Sequence, residues 1–127
     1  MSSLPAANHN FDLQSAEAFT ETVGNIINSG AIAVMLSIGH RTGLFDSLAS
    51  LPPATSQQIA EAAELAERYV REWLAVMVTG GIVTYDPKSK TYALPPEHAA
   101  CLTRTAALGN MAVYAQFVPM TGSAQDK

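Results

Sequence analysis

Residues 55–94 decide the fold, and they read TSQQIAEAAELAERYVREWLAVMVTGGIVTYDPKSKTYAL. Thr55 and Gln58 have the spacing of a capping box, which predicts a short helix at about 56–63. The apolar residues between Val70 and Val78 recur at i, i+3, i+4, i+7 and i+8, which predicts a longer helix at about 67–79.

A β-hairpin is predicted directly after the second helix. Gly80-Gly81 ends that helix, and two runs typical of strands follow at 82–85 and 91–94. The segment 86–90 between them is polar and favours a turn. A short helix, a turn, a longer helix and a hairpin are the order of a winged helix-turn-helix. The predicted fold class is therefore mainly α, with a small β-hairpin wing.

The N-terminal part is predicted to hold two pairing helices after a flexible arm at 1–14. Apolar residues from Phe19 to Ile27 fall at helical spacing within 15–28. Asn28-Ser29-Gly30 favours a break, and a second helix at about 31–41 is apolar on nearly every side. Such a helix needs burial all round, and a second copy of the chain would supply it.

A short helix is predicted at the C-terminal side of the wing, from Pro96 to Leu102. Another helix is predicted from about Ala107. The resulting organisation is an arm at 1–14, a winged-helix domain at 15–103, and a helix or linker at 104–127.

Composition restricts the class of protein. Apolar residues make up 48% of the chain, the mean hydropathy is +0.12, and the net charge is −4. A single cysteine, Cys101, excludes an internal disulfide and favours a reducing compartment. The N-terminus lacks an apolar signal segment, and the apolar run 31–38 is shorter than the ~20 residues of a membrane span. A cytoplasmic protein without a membrane contact is expected.

No residue stands out as catalytic. His9, His40 and His98 are too far apart to give the spacing of a metal site. Cys101 fits a small buried apolar residue better than a nucleophile, because no basic neighbour is evident. Trp73 lies on the apolar stripe of its helix and is expected in the core. We therefore predict no catalytic residue and no metal ligand.

Three segments carry a family resemblance: 39–46 (GHRTGLFD), 68–74 (RYVREWL) and 94–99 (LPPEHA). With them the chain resembles, over about residues 15–120, the N-terminal winged-helix domain of class I S-adenosylmethionine (SAM)-dependent methyltransferases of the mycobacterial type, also found in invertebrates. It is more distantly similar to the dimerisation domain of plant caffeate-type O-methyltransferases.

The resemblance implies a homodimer formed through the N-terminal helices, and a domain that covers the site of a small-molecule acceptor. It also implies SAM as the cofactor of the full-length protein, held in a catalytic domain that would follow residues 104–127. A SAM site of this class needs a glycine-rich turn between a strand and a helix. The paired glycines Gly80-Gly81 precede a hairpin strand instead, so no cofactor-binding residue is predicted in this chain.

Two alternatives stay open. A winged helix binds DNA with its second helix in the major groove, and here Arg68, Arg71, Lys88 and Lys90 would be the contacts. Residues 55–80, however, hold two arginines against four glutamates, a net charge of −2, which disfavours a nucleic-acid partner. The other alternative is a stand-alone dimer that regulates by pairing with a full-length relative.

Overall fold

The computed structural model describes residues 10–104 and 109–112. The helices and strands in these residues are α1 (Leu13–Thr42), α2 (Leu44–Ser50), α3 (Ser56–Ala63), α4 (Glu67–Thr79), β1 (Thr84–Asp86), β2 (Thr91–Ala93) and α5 (Pro96–Leu102). This order confirms the predicted mainly α winged helix-turn-helix with a hairpin wing. The chain divides into two compact units, 1–30 and 31–127, and α1 contributes to both.

The first unit contains the N-terminal half of α1. Asp12 precedes the helix, and its carboxylate accepts hydrogen bonds from the Gln14 amide at 3.1 Å and the Ser15 hydroxyl at 2.7 Å. The bond from Gln14 satisfies one of the backbone N–H groups that the first turn of a helix leaves without partners, and the bond from Ser15 holds the Asp12 side chain in place. The helix consequently starts at Leu13, inside the segment predicted as the arm; residues 1–9 of that arm lie outside the described residues.

The predicted break between two N-terminal helices is wrong. α1 is continuous through Asn28, Ser29 and Gly30, and it runs for 30 residues. The triplet contains no proline, so every backbone N–H can still donate along the helix. A glycine in a helix costs only about 1 kcal/mol relative to alanine. The good helix formers that follow, including Ala31, Ala33 and Leu36, offset a cost of that size.

The core of the second unit lies between α2, α3 and α4. Its fully buried side chains include Phe45, Ile59, Val70, Trp73 and Met77. The rings of Phe45 and Trp73 meet edge to face with centroids 5.2 Å apart. The core position predicted for Trp73 is therefore confirmed.

The C-terminal half of α1 packs on this core through a glycine. A Cβ atom on Gly39 would lie 2.5 Å from a ring carbon of Phe45 and 2.6 Å from one of Trp73. The Trp73 indole N–H also donates to the Met35 carbonyl at 2.9 Å. Gly39 thus lets the α1 backbone lie directly against the aromatic pair. Ser37 and Gly39 lie two residues apart, on nearly opposite sides of the helix, and both are buried, whereas Val34 is exposed. Burial of this part of α1 is therefore broad, but the predicted burial on every side is not found.

The helix-turn-helix follows the sequence closely. The Thr55 side chain accepts from the Gln58 amide while the Gln58 side chain accepts from the Thr55 amide, which is the predicted capping box. α3 is followed by Glu64, which caps its C-terminus with a left-handed φ of 58°. α4 begins after Ala66 without a side-chain cap. The two helices are therefore joined by a tight turn, as predicted.

The wing has shorter strands than predicted. β1 and β2 are antiparallel, with Tyr85 opposite Tyr92. Tyr92 also pairs with Ala54 on its other side, through backbone hydrogen bonds of 3.0 and 2.7 Å. The amides of Ile82 and Val83 both donate to the Met77 carbonyl at the end of α4, so these two residues belong to the helix terminus and not to the strand.

The predicted helix from Ala107 lies mostly outside the described residues. At Gly109 the backbone has a φ of 89°, which is not helical, so an α-helix does not pass through that position. Glycine adopts this conformation without the steric cost that other residues have. The predicted domain bounds at 103 and 104 remain a prediction.

α1 is long and apolar enough to cross a membrane, by length and composition alone, with a mean hydropathy of 1.4 over its most apolar 18 residues. From the sequence, the apolar run 31–38 was too short for a membrane span, but the continuous helix is longer than that run. A span of ~20 residues within α1 must include Ile32, and Ile32 packs against the core of the second unit. That packing favours a soluble domain, with α1 as one of its helices.

Candidate functional site

The four predicted DNA-contact residues lie on α4 and the wing, and all are exposed. Arg68 is paired with Glu72, its Nε atom 3.4 Å from a carboxylate oxygen. Arg71 is paired with Glu67 in the same way at 3.6 Å. Each arginine therefore has an opposite charge four residues away on its own helix.

Lys88 and Lys90 lie in the turn of the wing, where Lys90 has a left-handed φ of 57°. Asp86 organises this turn by accepting from the Lys88 amide at 3.0 Å and the Ser89 hydroxyl at 3.0 Å. The turn of the wing therefore holds one carboxylate as well as the two lysines. DNA affinity depends on a net positive footprint on the phosphates. The DNA contacts remain a prediction that this charge pattern disfavours.

An aromatic and acidic patch connects the wing to α4. The rings of Tyr85 and Tyr92 pack at a tilt of 43°, with centroids 4.7 Å apart. Burial raises the pKa of Tyr92, the neighbouring Tyr85 and Glu67 raise it further, and Arg71 acts in the opposite direction. Ser56 donates to the Glu67 carboxylate at 2.6 Å, which ties the start of α3 to the start of α4. The Tyr92 hydroxyl therefore stays neutral near pH 7 and acts as a packed polar group.

Two of the three histidines, His40 and His98, lie within the described residues, and both are on helices. His98 Nδ1 lies 2.7 Å from the Ile82 carbonyl oxygen, and because that oxygen only accepts, Nδ1 carries the proton. Cys101 is half-buried, and its thiol donates to the His98 carbonyl at 3.6 Å. His40 lies in the last turn of α1, as expected from the helix dipole. Within the described residues, no cluster of three or more metal-ligating side chains is found.

Sequence reasoning missed a polar group around Arg104. Its guanidinium donates to the Asp46 carboxylate and to the His40 carbonyl, across 58 and 64 residues of sequence. Arg104 and Asp46 line an open depression together with Ala49, Ser50 and Thr103. No local pattern could have revealed it, because Arg104 lies 58 residues from Asp46 and 64 from His40 in the sequence.

Two features of the described residues bear on a cofactor. Their sheet is a two-stranded antiparallel hairpin, and Gly80-Gly81 lies at the end of α4, ahead of β1. A dinucleotide-type cradle needs a parallel strand, a glycine-rich turn and a helix in that order. The described residues do not fit SAM.

A family model described as the Rv2258c-like winged HTH domain matches residues 30–104, which is more than half of the chain. The chain belongs to the Rv2258c-like winged helix-turn-helix family. Among curated proteins none matches at a significant level.

Solved structures share the fold of this Rv2258c-like domain, and two of the three described below are named as methyltransferases. Mitomycin 7-O-methyltransferase MmcR is 24% identical with a TM-score of 0.68, over 84% of this chain and 30% of its own. Human N-acetylserotonin methyltransferase, solved with SAM, is 15% identical with a TM-score of 0.68, over 81% and 30%. PigF, solved with SAH, is 19% identical with a TM-score of 0.67, over 78% and 28%. The chain thus spans about 30% of the length of these proteins, and at these identities the likeness is one of fold.

Proposed function

We propose that this chain is the N-terminal pairing and cover domain of a SAM-dependent methyltransferase, without a catalytic residue of its own. The observation that supports the proposal is that over 80% of the chain matches under a third of two solved methyltransferases, one of them with SAM. In this proposal SAM and a small-molecule acceptor bind to a longer protein, in the cytoplasm.

The surface proposed for pairing is the apolar face of the first half of α1. Its exposed side chains are Phe19, Val23, Ile26 and Ile27. With 3.6 residues per turn these four fall on one side of the helix, and Glu17, Glu21, Asn25 and Asn28 fall on the other. Full burial of such an apolar side chain contributes about 1.5–3 kcal/mol. An exposed stripe of this kind marks an interaction surface, and we propose that its occupant is the same stripe of a second copy.

Sedimentation equilibrium tests the pairing with two neighbouring substitutions on opposite faces. Ile26 is 64% exposed, so Ile26→Glu leaves the fold of one subunit intact while placing a charge in the proposed interface. The expected result is a dimer for the wild type and a monomer for Ile26→Glu. Asn25→Glu adds the same charge on the polar face and should stay dimeric. A wild-type monomer at high concentration, or equal effects of the two variants, would reject the interface.

The methyltransferase assignment has a separate test. Calorimetry should detect no SAM binding by this chain, and binding at micromolar SAM would contradict the proposal. The intact mass of the native polypeptide should exceed the 13.4 kDa of this chain. A mass of 13.4 kDa would favour a stand-alone dimer, and duplex binding that is lost in an Arg68→Ala, Arg71→Ala variant would favour the DNA alternative.

A further inference from the structure

Two segments far apart in sequence meet at the last turn of α1. The His40 carbonyl is one of the last four in the helix, which have no partner within the helix itself. It accepts from the Gly43 amide at 3.2 Å and from the Arg104 guanidinium. A cation at this end of a helix is stabilised by the partial negative charge of the free carbonyls. Arg104 therefore completes the terminus of a helix that ended 62 residues before it in the sequence.

Asp46, in the first turn of α2, holds Arg104 at two points. One carboxylate oxygen accepts from the Arg104 backbone amide at 2.9 Å, and the other accepts from the guanidinium. Both carboxylate oxygens are thus occupied by one residue, which fixes its backbone as well as its side chain. The two side chains are 47% and 35% exposed, so water weakens the ion pair without removing its geometry.

Asn110, six residues after Arg104 in the sequence, also contacts the last turn of α1. Its amide nitrogen lies 3.2 Å from His40 Nδ1. Its amide oxygen accepts from the Ala112 amide at 2.9 Å, and Ala112 is fully buried. His40 is therefore contacted twice, by Arg104 on its carbonyl and by Asn110 on its ring.

We propose that Arg104, Asp46, His40 and Asn110 form one cooperative junction clamp, which fixes where the polypeptide continues after α5. Arg104 orders the last turn of α1, and this turn presents the His40 ring to Asn110. The two contacts should therefore stabilise each other although Arg104 and Asn110 have no direct hydrogen bond among the described residues. If the chain is part of a methyltransferase, the clamp would set the point from which the rest of the polypeptide continues. Only this last step rests on the proposed function.

Amide hydrogen exchange followed by NMR tests the clamp in the 127-residue chain. The amides of residue 104 and Ala112 report on the two contacts, because each donates to a side chain of the clamp. In Arg104→Gln we expect both to exchange roughly ten-fold faster, with the Leu74 amide in the core unchanged. Arg71→Gln removes another exposed arginine from a carboxylate pair and should change neither amide.

The Ala112 amide decides whether the contacts cooperate. If Arg104→Gln accelerates exchange at residue 104 alone, or at neither position, the clamp is rejected. Should that variant destabilise the whole domain, Asn110→Ala provides the reciprocal measurement. Asn110→Ala should accelerate exchange at Arg104, because coupling between two sites is mutual, and unchanged protection there would also reject the clamp. Neither exchange measurement depends on SAM binding or on dimerisation. The clamp and the proposed function can therefore fail independently of each other.

Discussion

The two parts of α1, 13–30 and 31–42, both carry apolar side chains at helical spacing and differ in how these side chains are used. In 13–30, Phe19, Ile26 and Ile27 are each more than 60% exposed. In 31–42, Ile32, Met35, Leu36 and Ile38 pack against the core of the winged-helix unit. One continuous helix thus contributes to the domain with its second half and presents an apolar surface with its first. Apolar periodicity identifies a helix face that needs covering, and it does not tell which chain covers it.

The sharpest test of the difference compares two glycines of α1. Gly39→Ala places a Cβ atom within 2.6 Å of the rings of Phe45 and Trp73, whereas Gly24 has no atom within 4 Å of the corresponding position. We expect Gly39→Ala to lower the free energy of unfolding by about 2–3 kcal/mol. Gly24→Ala should raise it by about 0.5–1 kcal/mol, because alanine favours the helix. Urea unfolding followed by Trp73 fluorescence measures both, and equal effects would show that the halves do not differ.

A second comparison uses two isoleucines at a protein concentration where the chain sediments as a monomer. Ile38→Ser removes a half-buried side chain that packs on the core and should cost about 2 kcal/mol. Ile27→Ser alters a side chain that is 65% exposed and should change the stability by less than about 0.5 kcal/mol. A large loss in Ile27→Ser would mean that the first half of α1 is covered within one subunit.

The smallest expected effect concerns two serines. Ser37 is 1% exposed, and its hydroxyl has no hydrogen-bond partner among the described residues. Ser37→Ala should therefore stabilise the domain by about 1 kcal/mol, because an unpaired buried hydroxyl is removed. Ser29→Ala changes only helix propensity in the exposed half, for a gain of at most about 0.5 kcal/mol. Thermal unfolding should place the Ser37→Ala midpoint above that of Ser29→Ala; the opposite order would mean that the Ser37 hydroxyl is satisfied.

Local signals predicted the helix-turn-helix and the wing well. Each of these signals acts within one or two helical turns, so the sequence alone reveals it. They are the Thr55 capping box, the apolar stripe from Val70 to Met77, and the end of the helix at Gly80-Gly81. The continuity of α1 was missed because a glycine-containing triplet is only a weak helix breaker, and the packing of Gly39 on Trp73 is not visible in a local pattern.

The candidate sites also differ in whether local sequence or distant contacts determine them. The helical spacing of the apolar residues at 19–27 predicted a helix there, whereas the exposure of this face was not predicted. The Arg104–Asp46 pair was not predicted either, because it depends on how α5 is placed against α2, which no nearby residue encodes. The pairing of Ala54 with Tyr92 was hidden for a similar reason, since one residue after Pro52-Pro53 carries no strand periodicity.

That Ala54–Tyr92 pairing makes the wing part of a larger folding unit. Two strands of three residues each are too short to hold a hairpin together in water. Tyr92 is hydrogen-bonded to Ala54, which directly precedes the capping residue of α3. The hairpin therefore closes a loop around the whole helix-turn-helix, and its central residue should open only when the domain unfolds globally. The wing then stabilises the helical domain and unfolds together with it, and it is not a flexible appendage.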